Sequence, residues 1–249
     1  MELLALSSQD FAWLAVIVTL AGVVRGFSGF ALSALVMAAG VLILPPIELI
    51  PICLVLELTA SVLMARGGWQ EADRGVVLGL VVGSTVGVPF GVLTMMALPV
   101  ATSKLVVLVV LIILSATQLA KVRFAFLATK PGLYLSGFCA GIATGLASVG
   151  GMVVALYVLS QDAPAAKMRA ALVLFLFISS TTTMITYLVT GVMNGQAAAR
   201  GLSLAVFAAA GVYAGQQTFT ERLAPYYRPF CLTLLMSLAG FSLIRTVAT

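Results

Sequence analysis

The chain has 249 residues, 62% hydrophobic and 8% charged, with a net charge of +5 and no histidine. Its mean hydropathy of +1.18 excludes a soluble domain, and its unbroken apolar runs lack the alternation of a membrane β-barrel. Without histidine there is no His general base, His metal ligand or Ser-His triad, so no enzyme, cofactor or metal site is expected.

The residues before Phe11 include Glu2 and Asp10 but no lysine or arginine. A basic signal-peptide start is therefore missing, and the first apolar stretch is expected to stay in the protein. Apolar stretches follow at 11–44, 47–65, 75–98, 102–120, 131–160, 168–190, 201–219 and 229–248. The first holds 34 residues. That is roughly 51 Å of helix at about 1.5 Å per residue, against a hydrocarbon core of about 30 Å. It contains a glycine-punctuated segment, Gly22 to Gly29, with Arg25 inside it. The stretch 131–160 contains a second, Gly141 to Gly151, and Gly22 and Gly26 match Gly141 and Gly145 at an offset of 119. Each long stretch is expected to be a pair of short helices meeting at a break. Paired broken helices in a duplicated chain point to a transporter's binding site.

Loop charges discriminate between topologies. If each long stretch is one span, the cations split seven against five between the two sides. If each is a hairpin returning to its starting side, they split nine against three, with only Lys104, Arg200 and Arg245 on the minority side. The second count predicts an all-α polytopic membrane protein of two inverted repeats, each of about five helical elements opening with a glycine-broken hairpin. Repeat 1 would span 1–120, a cytoplasmic linker 121–130 and repeat 2 131–249, within one transmembrane domain. Both termini would be periplasmic in a bacterial inner membrane. Pro45 matches Pro164 at the same offset, and Asp73-Arg74-Gly75 resembles Ala199-Arg200-Gly201, each expected to open a helix.

Gly75, Gly79, Gly83, Gly87 and Gly91 recur every four residues, a flat face for close packing or for sliding. Gly137, Gly141 and Gly145 repeat the pattern. Cys53, Cys139 and Cys231 read as buried small hydrophobes. Arg25 is the sharpest single residue, because a charge at bilayer depth costs roughly 2.5–3.5 kcal/mol. It is either an anion ligand, with Ser28 and free amides beside it, or one half of an ion pair with Glu57. Glu57 is correspondingly a proton carrier or that pair's partner. Ser179 to Thr183 are helix glue or the lining of a polar path. Arg169 is a loop cation or a second cation near the second break.

The run Gly137-Phe138, Gly141, Gly145, Gly150-Gly151, Leu156 to Leu159, Pro164 and Arg169-Ala170, with Gly22, Gly26, Gly29, Pro45 and Glu57, resembles the sulfite exporter TauE/SafE family of membrane transporters. The resemblance implies movement of sulfite, organosulfonates or related carboxylates across the cytoplasmic membrane. Met152 follows Gly151 where relatives carry Gly-Gly-Pro, and the first break carries Arg25-Gly26-Phe27-Ser28-Gly29 rather than a run of glycines. The expected substrate-binding residues are Arg25, Gly26, Ser28, Gly29, Thr144, Gly145, Ser148, Gly150, Gly151 and Arg169, with Glu57 for coupling. Expected partners are a small anion, the lipid bilayer, a proton as coupling ion and a second copy in a homodimer, with no nucleic acid. The functional reading is a secondary transporter working by alternating access. The alternatives are an anion channel of the same architecture and a non-transporting assembly factor.

Overall fold

Short polar side chains set several helix starts by accepting otherwise orphaned amides. Ser7 accepts from Asp10 at the start of α1 (Ser8–Ser28), and Asp73 accepts from Gly75 and Val76 at α4 (Arg74–Ala97). Thr129 accepts from Gly132 at α6 (Lys130–Ala147), and Asn194 from Ala197 at α9 (Gly195–Gln217). The remaining helices are α2 (Leu32–Gly40), α3 (Pro46–Glu71), α5 (Val100–Leu119), α7 (Gly150–Leu159), α8 (Ala165–Val189) and α10 (Ala224–Ala248). The computed structural model describes residues 5–122, 125–161, 165–218 and 224–248, and among these there is no strand.

Seven helices hold segments long and apolar enough to cross a membrane, all except α2, α6 and α7. Helices α2 and α7, of 9 and 10 residues, reach only about 15 Å, half the hydrocarbon core. Both long stretches double back. A Cβ on Gly40 would lie 3.7 Å from Leu14 Cδ2, whereas a straight helix would hold these residues roughly 39 Å apart. In the second stretch, the Gln161 side chain just past α7 donates to the Leu127 carbonyl just before α6, at 3.5 Å.

The breaks fall later than the glycine spacing predicts. Gly22 and Gly26 lie inside α1, and the chain turns at Gly29 to Ala31. Gly141 and Gly145 lie inside α6, and the chain turns at Ser148-Val149. The reason is packing. A methyl on Gly22 would sit 2.8 Å from the Ala208 carbonyl oxygen, and one on Gly26 would strike the Val212 carbonyl, so both glycines seat α1 on α9. Gly211 and Gly215 face them from α9. Gly83, Gly87 and Gly91 of α4 interlock in the same way with Gly137, Gly141 and Gly145 of α6. The opposite face of α4, carrying Leu78, Val82, Val86 and Phe90, is exposed, as suits a helix whose solvent is lipid.

Two smaller expectations are corrected. Arg200 does not open a helix, because the stronger cap Asn194 starts α9 earlier. Cys139 is exposed on α6, while Cys53 and Cys231 are buried. Pro164 and the Arg169 side chain lie outside the described residues. Arg200 donates to the Ala5 carbonyl at 3.2 Å, and Trp13, Lys104 and Arg245 border one groove. The start of α1, the end of α10 and these three cations therefore share one end of the bundle.

Overpacking at such a seam costs about 1–3 kcal/mol. Gly87→Ala, whose methyl would strike the Phe138 carbonyl, is expected to lower detergent-solubilised stability by that amount. Gly240→Ala, with nothing within 4 Å, should leave stability unchanged or slightly raised. Thermal unfolding of both variants checks the contrast.

Candidate functional site

The last turn of α1 carries Arg25, and its guanidinium has 0% exposure. Three groups hold it. One terminal nitrogen donates to the Gly29 carbonyl at the break. The other donates to Ser61 Oγ at 3.2 Å and faces Glu57 Oε2 at 3.3 Å. Arg25 Nε and Glu57 Oε2 have no hydrogen-bond partner among the described residues. The break itself is tight. Gly29 has φ of 81° and Ala31 φ of 77°, and the left-handed region costs a residue with a Cβ roughly 1–2 kcal/mol.

Ala31 is the N-cap of α2 and offers no side-chain cap. A different helix supplies one. Glu57 Oε1, from α3, accepts from the Ser33 amide at 3.2 Å and from Ser33 Oγ at 2.9 Å. A helix N-terminus favours negative charge. The Glu57 carboxylate therefore sits where an anion ligand would sit, between a buried arginine and the amides that start a helix.

The second break has a different chemistry. Ser148 takes φ of 54°. Its amide donates to the Thr144 carbonyl at 2.8 Å and the Val149 amide to Ala143 at 3.2 Å, so two of the otherwise orphaned carbonyls at the end of α6 are satisfied. Ser148 Oγ donates to the Ile50 carbonyl at 3.3 Å, and the buried Tyr187 hydroxyl donates to the Thr144 carbonyl at 3.3 Å. Thr144 Oγ1 donates to Ala140 at 2.8 Å, and a methyl on Gly150 would collide with it. A methyl on Gly151 would meet Leu176 of α8 at 3.1 Å. No side chain caps α7, and the Gly150 and Gly151 amides have no partner among the described residues.

One face of α3 joins the two breaks. Ile50, Cys53, Glu57 and Ser61 are spaced three, four and four residues apart, so they share a helix face. The Ile50 carbonyl meets Ser148, and Glu57 and Ser61 meet Arg25. Ile50 and Glu57 are separated by roughly 10 Å along the helix, so the two breaks lie against α3 at depths that differ by about that much.

The chain matches the Sulfite exporter TauE/SafE family over residues 14–242, nearly its whole length and both breaks. It belongs to that family. No curated protein and no solved structure matches it. As a TauE/SafE member it is a multi-pass membrane transporter, in keeping with the seven segments among the described residues that are long and apolar enough to cross a membrane.

Within this TauE/SafE chain, Arg25, Gly29 and Glu57 come together at the first break, and Thr144, Ser148, Gly150 and Gly151 at the second. Ser28 Oγ donates to the Phe30 carbonyl at 2.7 Å and so braces its own turn. Gly26 and Gly145 lie one turn inside their helices against α9 and α4. Sequence reasoning passed over Ser33, Ser61 and Tyr187. Ser61 was findable, lying one turn beyond Glu57 on an apolar helix. Ser33 and Tyr187 carry no local signal. Of the run Ser179 to Thr183, Ser179 bonds Ser84 at 3.1 Å and Thr182 accepts from Thr85 at 3.3 Å. Thr183 Oγ1 is buried with no partner among the described residues.

Removing one partner of a buried ion pair costs roughly 3–5 kcal/mol, whereas replacing both with apolar groups is often neutral. Arg25→Met alone and Glu57→Leu alone are expected to lose stability on that scale, and the double variant to recover most of it. Melting curves of the three proteins check the cycle. Additive losses would mean that the two charges do not stabilise one another.

Proposed function

We propose that this TauE/SafE protein is a secondary transporter of a small anion, sulfite, an organosulfonate or a related carboxylate, working by alternating access between two inverted repeats. The observation that carries the reading is the carboxylate of Glu57 bridging Arg25 and the α2 N-terminus. An internal anion occupies a site with the chemistry of an anion receptor, so a substrate anion binds there by displacing it. Around this core, Gly29 and Ser28 from the first break and Thr144, Ser148, Gly150 and Gly151 from the second complete the proposed binding region. Arg169 is proposed as a second cation near the second break. Gly26 and Gly145 contribute through the seams that bring the breaks together.

The helix order supports the repeat reading. Five helices of 21, 9, 26, 24 and 20 residues are followed by five of 18, 10, 25, 23 and 25. The glycine-seamed pairs exchange between the halves, α1 with α9 and α6 with α4. Five helices per half gives opposite orientations. A cavity of about 210 Å³ is lined by Glu48, Pro51, Asn194 and Arg200, and Pro51 follows Ile50, whose carbonyl meets Ser148 at the second break. This cavity is the proposed approach from the end that holds both termini. Smooth glycine seams let one helix pair move against its neighbours when the path changes sides.

The ion pair also supplies a coupling rule. Ionised Glu57 competes with the substrate for Arg25. Protonated Glu57 releases Arg25, so proton and anion bind to the same state and travel together. Substrate affinity therefore rises as pH falls.

Flux of sulfite and of a short organosulfonate into proteoliposomes, against pH, tests this. Wild type is expected to show saturation, counterflow and flux that increases on the acidic side. Glu57→Gln keeps the size and the acceptor for Ser33 but not the charge facing Arg25, so it is expected to lose stability like the other single variants, and the protein that folds should lose the pH dependence. The folded double variant Arg25→Met/Glu57→Leu should lose at least tenfold in flux. Unchanged pH dependence in Glu57→Gln would remove it from coupling, and conduction without counterflow would make the protein a channel.

A further inference from the structure

A groove of about 700 Å³ lies at the end of the bundle where the start of α1 meets the end of α10. It exists because α2 stops at Gly40, half the length of a spanning helix, and leaves the space beyond unfilled. Trp13 and Ile17 of α1, Leu42 after α2 and Phe241 of α10 form its apolar wall, and Lys104 of α5 and Arg245 of α10 border it. Trp13 and Phe241 are 57% and 59% exposed, so the groove opens sideways, toward the bilayer.

We propose that this groove is a binding site for one anionic phospholipid, independent of the transport reading. An acyl chain lies along Ile17, Leu42 and Phe241, and the headgroup phosphate is held by Lys104 and Arg245. Three observations favour this occupant. Lys104 is the fifth residue of α5 and Arg245 the fourth from the end of α10, so both lie at the depth of a lipid headgroup. Trp13, in the second turn of α1, is the amphipathic residue that prefers that same interface. Basic pockets between transmembrane helices on the cytoplasmic side hold lipid phosphate headgroups, and Lys104 and Arg245 offer the same chemistry at the end that holds both termini. A second copy of the chain related by two-fold symmetry would instead bring a second Lys104 and Arg245 to the same groove, and the like charges would repel.

The two tryptophans are Trp13 and Trp69, so a Trp69→Phe background leaves Trp13 as sole reporter. This protein is reconstituted at equal mole fractions of brominated phosphatidylglycerol or brominated phosphatidylcholine, and Trp13 quenching is read. The phosphatidylglycerol form should bind more tightly, by about fivefold per cation. Lys104→Gln/Arg245→Gln should abolish the preference, and Lys121→Gln/Lys130→Gln, the same charge removed elsewhere, should keep it. Native mass spectrometry of wild type should show one retained phosphatidylglycerol whose occupancy falls with salt. Equal quenching by the two lipids, or a preference that survives loss of both groove cations, would overturn the proposal. So would a dimer that excludes lipid from Trp13.

Discussion

Everything in this protein is arranged around one buried charge. Arg25 is fully enclosed in a chain that crosses a bilayer, where a guanidinium has neither water nor room to reach it. Its charge must be met inside the bundle, and three elements meet it: the Gly29 carbonyl freed by the break in α1, and Glu57 and Ser61 from α3. Glu57 then does two things at once. It neutralises Arg25 and it caps α2, a helix whose own N-cap residue has nothing to offer. The break, the half-length helix and the ion pair are mutually dependent. Each would be unfavourable alone, because the left-handed turn, the uncapped amides and the buried ions all carry a cost in a medium without water.

Close backbone packing makes that arrangement possible. Glycines on α1 and α9, and on α4 and α6, let carbonyl oxygens of one helix sit where Cβ atoms would otherwise stand. In lipid, where no hydrophobic force draws helices together, such contact is what holds them. It also leaves α3 free to run between the breaks, with Ile50 at one and Glu57 at the other. The short reach of α2 has a second consequence at the bundle's edge. It leaves an apolar groove bordered by two cations, which the bilayer itself can fill.

The two breaks are unequal in chemistry. At an offset of 119, Arg25 falls on Thr144 and Glu57 on Leu176. The first break is therefore polar and internally neutralised. The second is held by hydroxyls, with Leu176 against Gly151 and the Gly150 and Gly151 amides without a partner among the described residues.

The sequence by itself determined the class. Hydropathy, the overlong apolar stretches, the matched glycines and the absence of histidine suffice for a helical membrane protein with ten elements, because membrane insertion depends on composition and length, which are local. Arg25 and Glu57 were legible as candidates for the same reason, since a charge in an apolar run stands out wherever it points. What the tertiary structure decided was who meets whom. Gly22, Gly26, Gly141 and Gly145 read as the breaks, yet they are seams, because glycine serves equally in turns and in close packing and only the neighbouring helix distinguishes the two. That Arg25 meets Glu57 and Ser61 turned on which face of α3 lies against α1. Those contacts join residues up to 36 positions apart, and no periodicity within a helix specifies which face of another helix will lie against it.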